Sequence, residues 1–141
     1  MKEVTTEVRK SYIDRIVPLE VNGQEIPVVN MLQDAKSIPF VVIATSANGT
    51  GTKCSRDWMV STSIDIVIKT TGDWGGDKLT EDIANIIYNK IDGSRPDYDT
   101  TENFKLVTQT VEAADPIIEQ YNNGRVIRKT IIIENYVSQI N

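Results

Sequence analysis

Gly49-Thr50-Gly51-Thr52-Lys53-Cys54-Ser55 is the stretch of this chain that most invites a chemical reading, since glycines beside a lysine and a hydroxyl can cradle phosphate. The spacing works against it. A phosphate loop needs Gly directly before its Lys and a helix after it, whereas Thr52 precedes Lys53 and a strand pattern follows. A glycine-rich surface loop is the plainer reading. Cys54 lies beside Lys53 and near Arg56, and two cations lower a thiol pKa. Without a base or a resolving cysteine, it reads as a partly exposed or interface thiol. Asp97, Asp99 and Glu102 cluster in one loop, but a calcium loop alternates its acidic ligands around a central Gly, and Pro96–Glu102 has none. Asp73 and Asp77 bracket Trp74-Gly75-Gly76, where turn formation and helix capping account for them.

The chain has no histidine and one cysteine. A Ser-His-Asp triad, a Cys-His dyad and the common zinc sites all require what is missing. The sequence therefore points away from an enzyme and from a resident cofactor or metal. Chemistry carried by carboxylates alone stays open, with Asp97, Asp99 and Glu102 as its candidates.

The totals agree with a role in contact and assembly. The 141 residues fit one α+β domain over 1–141, and 40% hydrophobic residues suffice for one modest core. Twenty acidic against 15 basic residues leave a net charge of −5. A sequence-independent nucleic-acid binder needs the opposite surplus, to displace counterions. The N-terminal residues place charges where a signal peptide would have an apolar core, and no apolar run approaches the roughly 20 residues of a membrane span. A lone Cys54 suits a reducing cytoplasm.

The elements follow from periodicity. Val8, Tyr12, Ile13 and Ile16 recur at helical spacing between Glu3 and Val17, and Pro18 ends the helix. Asn22-Gly23, flanked by short β-prone runs, predicts a type I′ hairpin. Ile38–Thr45 reads as a strand buried on both faces, with Pro39 at its start. Thr45–Asp57 reads as a loop and a contact surface. In Trp58–Thr70, Val60, Thr62, Ile64, Ile66 and Ile68 alternate with Ser61, Ser63, Asp65 and Lys69, joined only by Met59 and Val67, the pattern of a sheet with one dry face. Leu79, Ile83, Ile86, Ile87 and Ile91 form the apolar stripe of a second helix that Asp77 caps. Pro96–Asn103 is an acidic loop, Phe104–Val111 a strand, and Ala113–Tyr121 ambiguous around Pro116. Asn122-Asn123-Gly124 turns the chain into a last strand, Val126–Val137. There Ile127, Ile131, Ile133 and Val137 share one face, and Arg128, Thr130 and Glu134 the other.

Contact residues are chosen by what breaks these patterns. Ile132 and Tyr136 are apolar on the polar face of the last strand. Trp74 stands between Asp73 and two glycines, either as an exposed anchor or as core; Trp58 reads more readily as core. Arg125, Arg128 and Lys129 form the one local basic cluster, read as a solvated hairpin or as the mate of an acidic patch on a neighbour.

The segments Ser61–Thr70, Leu79–Ile87 and Asn122–Ile133, in this order, resemble phage tail terminator (tail-completion) proteins. The likeness extends over most of the chain as a pattern, and Gly23–Lys53 departs from it most. The resemblance implies a virion structural protein built as a mostly antiparallel sheet packed by an N-terminal helix and one central amphipathic helix. It implies a homo-oligomeric ring, commonly a hexamer, that caps the tail tube, contacts the tail tube protein and the head–tail connector protein, and lets DNA pass through its lumen. Such a subunit is assembled in the host cytoplasm and ends in the tail or neck of the virion, with no membrane partner. An acidic chain suits a lumen along which DNA must slide. Two alternatives remain from the same residues: a head-completion or neck connector protein, and a stand-alone non-catalytic binding module.

Overall fold

The structure is a computed structural model that describes residues 3–30, 39–49, 56–70, 77–93, 100–121 and 124–140. Among the described residues, two helices and nine strands form an α+β fold: α1 (Thr5–Ile16), β1 (Glu20–Val21), β2 (Gln24–Glu25), β3 (Val28–Val29), β4 (Phe40–Gly49), β5 (Asp57–Thr70), α2 (Asp77–Lys90), β6 (Phe104–Leu106), β7 (Thr110–Ala113), β8 (Ile117–Tyr121) and β9 (Gly124–Gln139). The main sheet has the order β3-β4-β5-β9, and β6, β7 and β8 share the far edge of β9. Every pairing in it is antiparallel except β3 with β4.

The alternation read from the sequence sets which face is dry. Val60, Thr62, Ile64, Ile66 and Ile68 of β5 are buried, as are Ile127, Ile131, Ile133 and Val137 of β9. Their registers place Ile43, Ile64 and Ile131 side by side across three strands, each with no exposed surface. Both helices cover this face. From α1 come Val8, Tyr12 and Ile16, and from α2 Ile83, Ala84 and Ile87, with Ile91 just beyond. Thr80 is also buried, on the same stripe. Lys90, in the last turn of α2, donates from Nζ to the carbonyls of Ile16 (2.9 Å) and Pro18, so one cation ties the end of α2 to the end of α1. At the start of α1, the hydroxyl and N–H of Thr5 both donate to Glu3, holding its carboxyl below the usual range.

The β1–β2 hairpin forms as expected, with Asn22 at φ 53° and Gly23 at φ 80°, the positive angles of a type I′ turn. The region around Thr45 differs from expectation. β4 continues to Gly49 and β5 begins at Asp57, so much of Thr45–Asp57 is strand, paired from Thr45↔Thr62 to Gly49↔Trp58. Cross-strand pairing overrides the turn propensity of Ser46, Asn48 and Gly49. Only the start of β4 is buried on both faces. Phe40, Val41 and Ile43 are covered, and from Ala44 the outer face is open.

The far edge also differs. β6, β7 and β8 run in succession along the whole length of β9 as one edge strand with two bulges. Between Leu106↔Val137 and Thr110↔Glu134, three residues (Val107, Thr108, Gln109) oppose two (Asn135, Tyr136). Between Ala113↔Ile131 and Ile117↔Arg128, Ala114, Asp115 and Pro116 oppose Lys129 and Thr130. The expected single strand Phe104–Val111 is thus broken by the first bulge, and the ambiguous Ala113–Tyr121 holds the second, where Pro116 is tolerated.

Candidate assembly surface

The first bulge is a junction. The Asn135 side chain stands on the dry face of β9 with no exposed surface. The Tyr12 hydroxyl of α1 donates to its Oδ1 at 2.7 Å, and its Nδ2 donates to the Thr108 carbonyl at 2.8 Å. Thr108 also accepts, on its hydroxyl, the N–H of Tyr136 at 3.1 Å. Gln109 turns the other way and closes the end of α2, donating to the Ile91 carbonyl (2.7 Å) and accepting the Gly93 N–H (3.0 Å). The buried Tyr12 hydroxyl and Asn135 amide are thus paired, while Thr108 and Gly93 lie at the exposed rim of the junction. Sequence reading took Tyr12 only as part of the first helix's apolar stripe and passed over Asn135; the available signal was a polar residue at an odd-numbered, core-facing position of β9.

Beyond that junction the edge strand leaves the shelter of the helices. From Val111 to Ile118 every residue is exposed, including Val111 (40%), Ile117 (61%) and Ile118 (49%). These are large apolar side chains on a strand whose outer edge has no partner among the described residues. Such an edge is a template for pairing with another chain. Acidic Glu112, Asp115 and Glu119 lie along it.

The residues chosen from the sequence distribute as follows. Ile132 and Tyr136 share the open face of β9 with Arg128, and both are half-buried. Tyr136 is engaged within its own subunit: its hydroxyl donates to Asp57 Oδ2 at 2.6 Å, while Ser138 Oγ donates to Asp57 Oδ1 at the same distance. Arg125 and Lys129 fall on the opposite face from Arg128, because side chains alternate along a regular strand. The three basic residues are therefore not one patch. Arg128 lies 3.7 Å from Glu119 with both side chains over 40% exposed, a pair of little energetic consequence. Trp58 is partly buried against the core. Trp74, Cys54, Lys53, Asp73, Asp97 and Asp99 lie outside the described residues. Tyr136→Phe is expected to lower stability by about 1 kcal/mol through loss of a hydrogen bond to a carboxylate, read as a shifted urea midpoint.

The surface of the described residues carries hollows of two kinds. A groove of about 510 Å³ runs between α1 and Thr100–Glu102, lined by Glu7, Lys10, Asp14, Arg15 and Glu102. Its charges are mixed. Glu7 accepts the backbone N–H of Asn103 at 3.2 Å and its side-chain amide at 3.1 Å, which anchors the loop to α1. A smaller hollow of about 100 Å³ lies on the open sheet face between Ser46, Met59, Ser61 and Glu134. Among the described residues, no group of three His, Cys, Asp or Glu side chains is placed to hold a metal ion.

No protein-family model matches this chain, and no curated protein sequence does. Its fold does have a match among solved structures. A chain in the structure titled "Virion of native gene transfer agent (GTA) particle" superposes with a TM-score of 0.65, over 94% of this chain and 96% of that one, at 9% sequence identity. At that identity the likeness is one of fold.

Proposed function

We propose that the chain is a structural subunit of a phage-like virion, and within it a tail terminator: a ring of copies that caps the tail tube and joins it to the head connector. The observation that carries this reading is the shared fold with a chain of a virion particle, nearly end to end in both chains. The arrangement of exposed groups supports it. A lone ring subunit must present one patch to a different patch on the next copy, and the apolar strand Val111–Ile118 is such a patch. The net charge of −5 suits a lumen that lets DNA slide. The role is one of contact, with no catalytic step.

The test is to purify the protein, measure its mass by light scattering across a range of concentrations, and image it by negative stain. Rings of about six copies with a central hole are expected for closed cyclic assembly. Compact monomers at every concentration, with or without tail tube protein, overturn the reading. Rings that bind the connector but never the tube end make the subunit a neck connector instead.

A further inference from the structure

We infer that copies of this chain join edge to edge, the free edge of β4 in one copy pairing antiparallel with the β7–β8 edge of the next, so that the sheet continues around the assembly. The inference rests on the ring reading above and specifies its interface.

Among the described residues, both edges of the sheet have open stretches. On one side, β3 covers only Val41 and Val42 of β4, and among the described residues nothing pairs with β4 beyond them. The Val41 N–H donates outward, to the Pro27 carbonyl at 2.8 Å. Backbone groups alternate along a strand, so Thr45, Ala47 and Gly49 also direct their N–H and C=O groups away from β5. On the other side, the Ala114 N–H donates to the Thr130 carbonyl of β9 at 3.0 Å. Val111 and Ala113, of the opposite parity, therefore direct their backbone groups outward.

Strand direction makes the two edges compatible. β4, β5, β9 and the β7–β8 edge strand alternate in direction, each antiparallel to its neighbour. Across these four strands the alternation ends on the direction opposite to β4. A second copy in the same orientation therefore brings its β4 antiparallel to β7–β8, the favourable ladder for a short junction. This contact is heterologous, as ring closure demands.

The side chains agree. β4 carries no charged residue along its ten positions, and its outer stretch exposes only Ala44, Ser46, Asn48 and Gly49. It has none of the lysines, bulges or interior prolines by which edges avoid partners. On the dry face the small Thr45, Ala47 and Gly49 leave room for the larger Val111 and Ile118 of the facing edge, and on the open face Ala44, Ser46 and Asn48 present no carboxylate to oppose Glu112 or Glu119.

Ala47→Pro removes an outward donor of β4, and Val111→Pro removes one of β7. Neither N–H serves the subunit's own sheet. Each variant alone is expected to stay monomeric under conditions where the wild type assembles. Mixed in equal amounts they give dimers and nothing larger, because one good edge of each kind survives. Assembly of either variant to wild-type size overturns the inference while leaving the ring reading intact; a wild type that never assembles removes the ring reading and this interface together. Should a proline variant lose its cooperative melt, amide exchange on the wild type decides. The N–H groups of Thr45, Ala47, Gly49, Val111 and Ala113 are expected to exchange at least ~10-fold more slowly in the assembly than in diluted monomer. Equal exchange in both states overturns the inference.

Discussion

Asn135→Ala is expected to lower stability by about 3 kcal/mol, more than any change on the open face of the sheet. The loss has two sources. A buried side chain is truncated, and two groups, the buried Tyr12 hydroxyl and the part-buried Thr108 carbonyl, lose the partner each has at 2.7 and 2.8 Å. The same site predicts a pH dependence in Asn135→Asp. A protonated carboxyl keeps one acceptor for Tyr12 and one donor for Thr108, whereas a carboxylate offers Thr108 only repulsion. Burial disfavours the charged form, which raises the folded-state pKa of the introduced group above the unfolded value of about 3.9. Relative to wild type, the variant is therefore nearly intact at low pH. It loses stability as pH rises from that value and levels off above the folded pKa. Urea midpoints of both proteins at pH 4 and pH 7 read this directly. A penalty that is the same at both pH values would place Asn135 outside a buried network.

Ile64→Ala is the second large effect, at about 3–4 kcal/mol. Ile64 lies between Ile43 and Ile131 in register, all fully buried, so the truncation leaves a void that backbone hydrogen bonds on both sides prevent from closing. Ile117→Ala removes the same atoms from a side chain that is 61% exposed, and should stay within about 0.5 kcal/mol. The pair is compared at one protein concentration, since assembly raises apparent stability by mass action. Equal losses at the two positions would contradict the burial pattern of the sheet.

The core was legible in the sequence and the edges were not. Period two along Val60–Ile68 and Ile127–Val137 names the buried apolar face of β5 and β9 without reference to any partner, missing Val67 and Asn135, and the stripe Leu79–Ile91 does the same for α2, missing Thr80 and Ala84. Asn22-Gly23 fixes its turn because few other pairs accept two positive φ angles. The failures share a cause. Ser46, Asn48 and Gly49 are turn-formers held in a strand by β5, and Pro116 is a strand-breaker placed in a bulge opposite β9. Both outcomes depend on a partner strand distant in sequence. The candidate surface was hidden for the same reason: Val111, Ile117 and Ile118 look like core until the extent of the helices is known. Ile132 and Tyr136 were chosen by pattern alone, and the structure gives Tyr136 a partner in Asp57 of its own subunit.

The sixteen-residue strand β9 is the last element of the described chain, and β6, β7 and β8 have no other partner in the main sheet. During synthesis this has an ordering effect. Until β9 emerges and inserts beside β5, the segment Thr110–Tyr121 has nothing to pair with and no edge to present. The contacts involved are long-range, from Asp57↔Ser138 to Thr70↔Arg125, so this step closes late. On the proposed edge-to-edge interface, a nascent or truncated copy lacks one of the two joining surfaces, so that assembly would admit only subunits whose folding is finished.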